Sequence, residues 1–231
     1  MKRLGLLFLL GAAALVLAQG VPLVRTAKVG DVATYSLTIT LNLFGDVAVY
    51  TSKVTEKVVE ISATGDISVE KSQTDYKATM FGDEATVVDQ DMPKPVYTHK
   101  PNGTLVGVKS ELQVADVYRM AELEAVRLPE KAVAVGETYT IEVPANAKLG
   151  THKAKSTYKI EAEEKIGTYD TFMASFTYAE QIPSDPAGSI GKVWINKADG
   201  SVVKLEADWT NVPIPLAPAQ TSGTIKFERT G

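Results

Sequence analysis

Residues 96–108 (VYTHKPNGTLVGV) return without a gap as residues 193–205 (VWINKADGSVVKL), 97 positions further along the chain. Valine, lysine, glycine and valine recur at matched places, Tyr97 is answered by Trp194, and Asn102-Gly103 by Asp199-Gly200. Apolar residues alternating around Asn-Gly or Asp-Gly are the pattern of a β-hairpin, because those dipeptides accept the positive φ angles of a type I′ turn. One hairpin written twice predicts a duplicated β protein.

Two further pairs fall in the same order. Val29-Gly30-Asp31 is matched by Val135-Gly136-Glu137, and residues 53–58 align more loosely with 159–166. After each glycine the apolar residues alternate, as Ala33, Tyr35, Leu37, Ile39 and Leu41 in the first half and as Tyr139, Ile141 and Val143 in the second, which puts each set on one strand face. Reading outward predicts strands at 32–43, 47–61 and 66–80, a hairpin at 94–108, strands at 137–143, 154–166 and 168–180, a hairpin at 190–209, and a last strand at 224–229. Three prolines between Val212 and Pro218 predict an extended connection before that last strand. Between the halves one helix is predicted over 111–127 and closed by Pro129, with Val114, Val117, Tyr118, Ala121, Ala125 and Leu128 on one face.

The expected division is therefore a leader at 1–18, a first β half at 19–110, a linking helix at 111–128 and a second β half at 129–231. The fold class is mainly β, antiparallel: duplicated five-strand halves forming a curved sheet or half-barrel around one linking helix. A two-sheet β-sandwich is the alternative. A second copy of such a unit covers the apolar face of the first or extends its sheet, which leaves fewer raw edges.

The leader is read from Lys2-Arg3, the apolar run from Leu4 to Leu17, and a cut before Gln19, the layout of a secretory signal peptide. That run is shorter than the ~18 residues of a spanning helix, so no transmembrane anchor is expected. The expected location is the periplasm or the extracellular space. With no cysteine, the chain offers no disulfide, thiolate metal site or lipid-modified cysteine. Without the leader, 22 basic side chains face 28 acidic ones, a formal charge of −6 that argues against nucleic acid as a partner.

Residues 128–139 (LPEKAVAVGETY) resemble a signature of uncharacterised secreted bacterial proteins with a duplicated half, in which a Pro-Glu-Lys and a Val-Gly-Asp/Glu-Thr-aromatic group open the second half. Tyr139 stands where that signature has tryptophan. Residues 192–200 (KVWINKADG) are similar to the hairpin of lipoprotein-carrier-like half-barrels of the bacterial envelope. The resemblance implies a half-barrel around an apolar cavity with a helical lid, and it implies no catalytic residue or cofactor.

Candidate chemistry is thin. The two histidines, His99 and His152, are far apart in sequence, and His99 takes the slot held by Asn196 in the other copy. Residues 187–191 (AGSIG) approximate a nucleophile elbow around Ser189 but lead into a strand, where an elbow needs a helix. Asp83-Glu84 and Asp89-Asp91 lack the spacing and glycine of a calcium loop. The charges Lys53, Glu56, Lys57 and Glu60 read as the wet face of a strand, and the acid-free run Lys148, His152, Lys153, Lys155, Lys159 as a lysine-protected edge strand or an anion-facing patch. What remains is burial. Val114, Val117, Tyr118 and Ala121 on the helix, with Tyr97 and Trp194 on the hairpins, are the expected wall of an apolar chamber. The expected function is non-enzymatic and without cofactor: an exported carrier of a lipid or lipidated protein, or alternatively an envelope protein-interaction or structural module.

Overall fold

The computed structural model describes residues 20–43, 45–80, 82–86, 92–215 and 220–231. The expected leader, most of the acidic segment around Asp89 and the end of the proline-rich connection lie outside them. The alternating segments are strands. β1 (Val32–Leu43), β2 (Asp46–Ile61) and β3 (Ile67–Met80) form a meander, with a short additional β4 (Asp83–Thr86) against the end of β3. β5 (Val96–His99) and β6 (Leu105–Lys109) are the first hairpin, followed by α1 (Ala115–Glu124). The second half runs through β7 (Thr138–Val143), β8 (Ala154–Ile166) and β9 (Tyr169–Glu180) into the hairpin of β10 (Gly188–Asn196) and β11 (Val202–Val212), and ends with β12 (Thr221–Arg229).

All of these strands belong to one antiparallel sheet, eleven of them in the unbroken order β6-β5-β3-β2-β1-β12-β11-β10-β9-β8-β7. It is a single curved sheet, not closed into a barrel and not the two-sheet sandwich held as the alternative. Among the described residues no helix is long and apolar enough to cross a membrane.

Three devices recur in both halves. Gly30 donates to the Val58 carbonyl at 2.8 Å while Val58 donates to Asp31, and Gly136 donates to Ile160 at 2.7 Å while Ile160 donates to Glu137. Immediately afterwards each second strand carries a bulge, between Val58 and Glu60 and between Ile160 and Ala162. These bonds make Val58 the counterpart of Ile160, four residues along from the loose match of 53–58 with 159–166. The cause is length: the β1–β2 ladder is much longer than β7–β8, so identical offsets from the turn do not correspond.

The repeated hairpins are the third device, but neither has the expected type I′ turn. Gly103 and Gly200 have positive φ (81° and 67°), whereas Asn102 and Asp199 do not. In the first hairpin Pro101 occupies the second position of a type I turn closed by Gly103 N–H to the Lys100 carbonyl at 2.8 Å. In the second, Gly200 reaches back one residue further, to the Asn196 carbonyl. The longer loop draws one residue out of the strand, so Tyr97 pairs with Val108 whereas Trp194 pairs with Lys204, one place short of the counterpart Leu205. A one-residue slip turns a side chain to the other face. Tyr97 therefore faces inward and Trp194 outward.

The helix is shorter than predicted at both ends. Asp116 sits in its first turn, favourable to the helix dipole, and pairs with Arg119 at 3.3 Å. Ala125 is already extended (φ −69°, ψ 122°), well before Pro129. Arg127 explains the early stop: its guanidinium turns back to the Ala125 carbonyl at 3.0 Å and to the Glu122 carbonyl at 3.4 Å, satisfying groups that a continued helix would have used. The chain beyond it straps the two halves, with Leu128 N–H on the Asn102 carbonyl (2.8 Å) and Arg127 N–H on the Tyr158 hydroxyl (3.0 Å). The segment before β1 does likewise, through Arg25 N–H on Pro101 and Thr26 N–H on Asp199.

The lysine-rich run is not at an edge. β8 lies between β7 and β9, and Lys155 and Lys159 point outward, opposite Glu142 and Thr138.

Candidate functional site

A cavity of about 260 Å³ lies between the inner face of the sheet and the C-terminal end of α1. β1, β2, β3 and β5 supply most of the strand residues of its wall, β11 and β12 close one side, and no residue of β7 to β10 reaches it. Its floor is aliphatic, with Leu37, Ile39, Val54, Val69, Leu205 and Ile225, and Phe227 stacks on Tyr35 with ring centroids 4.1 Å apart. Ala121, Ala125 and Val126 form the roof.

One stretch of the wall is charged. Lys71 lies 3.4 Å from Glu56 and 3.8 Å from Glu124, and its ammonium sits 4.7 Å from the centre of the Tyr97 ring. Burial alone would lower the lysine pKa, but the Glu56 and Glu124 carboxylates outweigh it and hold Lys71 charged, well above the usual lysine value. Burial raises the Glu124 carboxyl; Lys71 opposes this and Glu56 adds to it. Glu56 is thus not on the wet strand face. Strand period two gives it the parity of Val54 and Val58, which face inward, while Lys53 and Lys57 are exposed. His99 lines the same cavity two residues beyond Tyr97. Burial, then the nearby charges of Lys71, Arg127 and Arg25, push its pKa down to about 3, so the imidazole is neutral at neutral pH.

The same place in the second half is filled. Counting from Val58 and Ile160, Glu56 corresponds to Tyr158 and its partner Lys71 to Phe176; counting from Gly30 and Gly136, Ala33 corresponds to Tyr139. Across three strands the first half reads Ala33, Glu56, Lys71. The second reads Tyr139, Tyr158, Phe176, stacked at centroid distances of 4.9 and 5.7 Å. Arg127 lies over Tyr178 at 5.2 Å and is paired with buried Glu122, completing a packed interior.

Of the six expected wall residues, Tyr97 and Ala121 line the cavity. Val117 and Tyr118 pack instead on Leu105 and Val108, with the Tyr118 hydroxyl donating to the Val108 carbonyl at 3.3 Å. Val114 is the residue preceding α1 and does not reach the chamber. Trp194, on the outer face, donates to Glu164 at 2.7 Å and lies under the Lys204 ammonium. The apolar stripe of the helix thus seats it on the first hairpin, and the end of the helix, not its flank, roofs the cavity. Lys71 and Glu124 were not singled out from sequence, and Glu56 was read as part of a wet strand face. For Glu56 and Lys71 the signal was strand parity, since Lys71 continues the inward series Ile67, Val69.

α1 is held to the second half by Arg119, which donates to both oxygens of Glu180 at 2.8 and 2.7 Å; Glu180 also accepts the Ala187 N–H. Burial opposes that charge, but the Arg119 and Ala187 hydrogen bonds prevail and hold the Glu180 carboxyl below its usual range. The Ser189 hydroxyl is buried without a hydrogen-bond partner, so no histidine activates it. Among the described residues no group of three or more metal-ligating side chains is assembled.

No known family model matches the chain, and no curated protein matches it either.

Proposed function

We propose that this is an exported, non-enzymatic binding protein that holds one single-chain apolar or amphipathic molecule in the chamber of its first half. The observation that supports it is the 260 Å³ cavity over aliphatic β1–β3, at the place where the second half is filled by stacked rings. The cavity opens in part to solvent, so a ligand can enter it, and its aliphatic floor has no counterpart in the packed second half. It lies just below the roughly 300–1,000 Å³ typical of small-molecule sites. That favours one alkyl chain over the several chains of a lipidated protein.

The test is native mass spectrometry of the exported protein after size exclusion, followed by titration with straight-chain alkanols. One bound alkanol per chain is expected, with affinity rising roughly fourfold per added methylene, the equivalent of ~0.8 kcal/mol, until the chamber is full. Protein that stays empty and takes up no alkanol overturns the proposal. A protein partner recovered by crosslinking, with the chamber unable to bind, would mark an envelope interaction module.

A further inference from the structure

We infer that the molecule held in the chamber carries a single anionic head, a carboxylate, which sits at the hairpin end of the wall between Arg25 and Lys100. This rests on the chamber being a ligand site, and it adds the chemistry of the head. The segment before β1 meets the turn of the first hairpin there: Arg25 N–H bonds the Pro101 carbonyl at 3.0 Å, and Arg25, His99 and Lys100 all line the cavity. Lys100 is exposed, so this end of the chamber reaches water, where an amphiphile keeps its charge at least cost.

Neither cation is saturated. The Arg25 guanidinium donates no side-chain hydrogen bond among the described residues, and its ion pair there, to Asp199, spans 3.9 Å, well beyond the ~2.8 Å of a tight charge-assisted bond. The same Asp199 oxygen already accepts the Asn196 amide, the Ser201 N–H and the Ser201 hydroxyl at 2.9, 2.8 and 2.6 Å, which commit it to its own turn. Lys100 has no ion pair among the described residues. Lys197, at the same place in the repeat, pairs with Glu163 at 2.8 Å and lies over the Phe172 ring. The repeat thus keeps its lysine in both halves, and only the one at the chamber lacks an acid.

The other charges of the wall answer one another. Lys71 is matched by Glu56, and burial raises the Glu124 carboxyl beside them. Arg25 and Lys100 against Asp199 leave one positive charge at the hairpin end, which suits a monoanion. His99 senses the same field, since the charges that act on it, Lys71, Arg127 and Arg25, are all positive. Its neutral imidazole adds an N–H donor to that wall.

The experiment uses three probes with one tail, decanoate, decanol and decylamine, titrated near neutral pH into the wild-type protein, Arg25→Gln, Lys100→Gln, their double variant and Lys197→Gln. Decanoate is expected to bind about tenfold or more tighter than decanol, and decylamine weakest. The decanoate preference should fall in each single variant and vanish in the double one, and it should persist in Lys197→Gln. Decanol binding shows that a variant is folded with its chamber open, and either single variant serves if the double one does not fold. Equal binding of decanoate and decanol by the wild type would overturn the head assignment and leave the chamber intact. Tightest binding of decylamine would overturn it and move the head to Glu56 and Glu124, and a decanoate preference that survives in the double variant would overturn it in favour of Lys71. Failure of all three probes would overturn the chamber itself.

Discussion

The two halves of the sheet share a plan and differ in what fills it. Both start a strand behind a glycine turn, bulge at the same place and carry the same hairpin, yet one row of three strands reads Ala33, Glu56, Lys71 and the other Tyr139, Tyr158, Phe176. Three rings close the second half into a core, while a methyl group and an ion pair leave the first half hollow. Backbone geometry is therefore not what opens the chamber. Side-chain volume at a few inward positions decides it, as expected where packing sets interior density.

The difference can be broken most forcefully through the buried pair of the filled half. Arg127→Met should cost about 3–5 kcal/mol in denaturant unfolding, because Glu122 is then left charged and unpaired among buried groups. A loss below about 1 kcal/mol would mean that water reaches this site. Next come the counterpart positions: Phe176→Ala should lose about 3 kcal/mol and Lys71→Ala less than about 1 kcal/mol, since only the former removes a ring from a packed stack and the latter ends a partly hydrated ion pair. Equal losses would contradict the assignment of one half as core and the other as chamber. The double substitution Glu56→Phe with Lys71→Phe copies the ring pair into the first half; stability should stay within about 1.5 kcal/mol of wild type, because the rings enter existing space and the Glu124 carboxyl, already raised by burial, takes up a proton once Lys71 is gone. A larger loss would show that the cavity walls are already in contact in solution.

A further effect concerns pH. His99 is neutral in the folded chain with its pKa near 3, against 6.5 when unfolded, so below pH 6.5 the unfolded chain takes up a proton that the folded chain refuses. Its contribution to stability is present above pH 6.5 and is lost progressively as pH falls toward 3. Replacing His99 with Gln should flatten the slope of unfolding free energy against pH in that window. An unchanged slope would place the imidazole in contact with water.

Much of this architecture was legible in the residues. Period-two alternation located every strand but β4, and the repeated hairpin led to the strand plan, because inward and outward faces are written directly in such patterns. The hairpin faces were less accessible. The repeat aligns Tyr97 with Trp194 without a gap, but the loops differ by one residue, so identical spacing yields opposite faces. The C-terminal end of the helix was misplaced because Arg127, the last residue of the predicted helix, turns back to bond the Ala125 and Glu122 carbonyls. Hence the wall of the chamber was foreseen at Tyr97 and Ala121 and misplaced at Val114, Val117, Tyr118 and Trp194. Glu56 was misread as solvent-facing, and Lys71 and Glu124 escaped notice, because the three come from β2, β3 and α1 and no local spacing joins them.

The most direct measurement is calorimetric titration of decanol into the wild-type protein and into the Glu56→Phe, Lys71→Phe double variant. An open first half takes up one molecule per chain, and the ring-filled variant takes up none while remaining folded. No uptake by the wild type, or equal uptake by both, would contradict a chamber at this place.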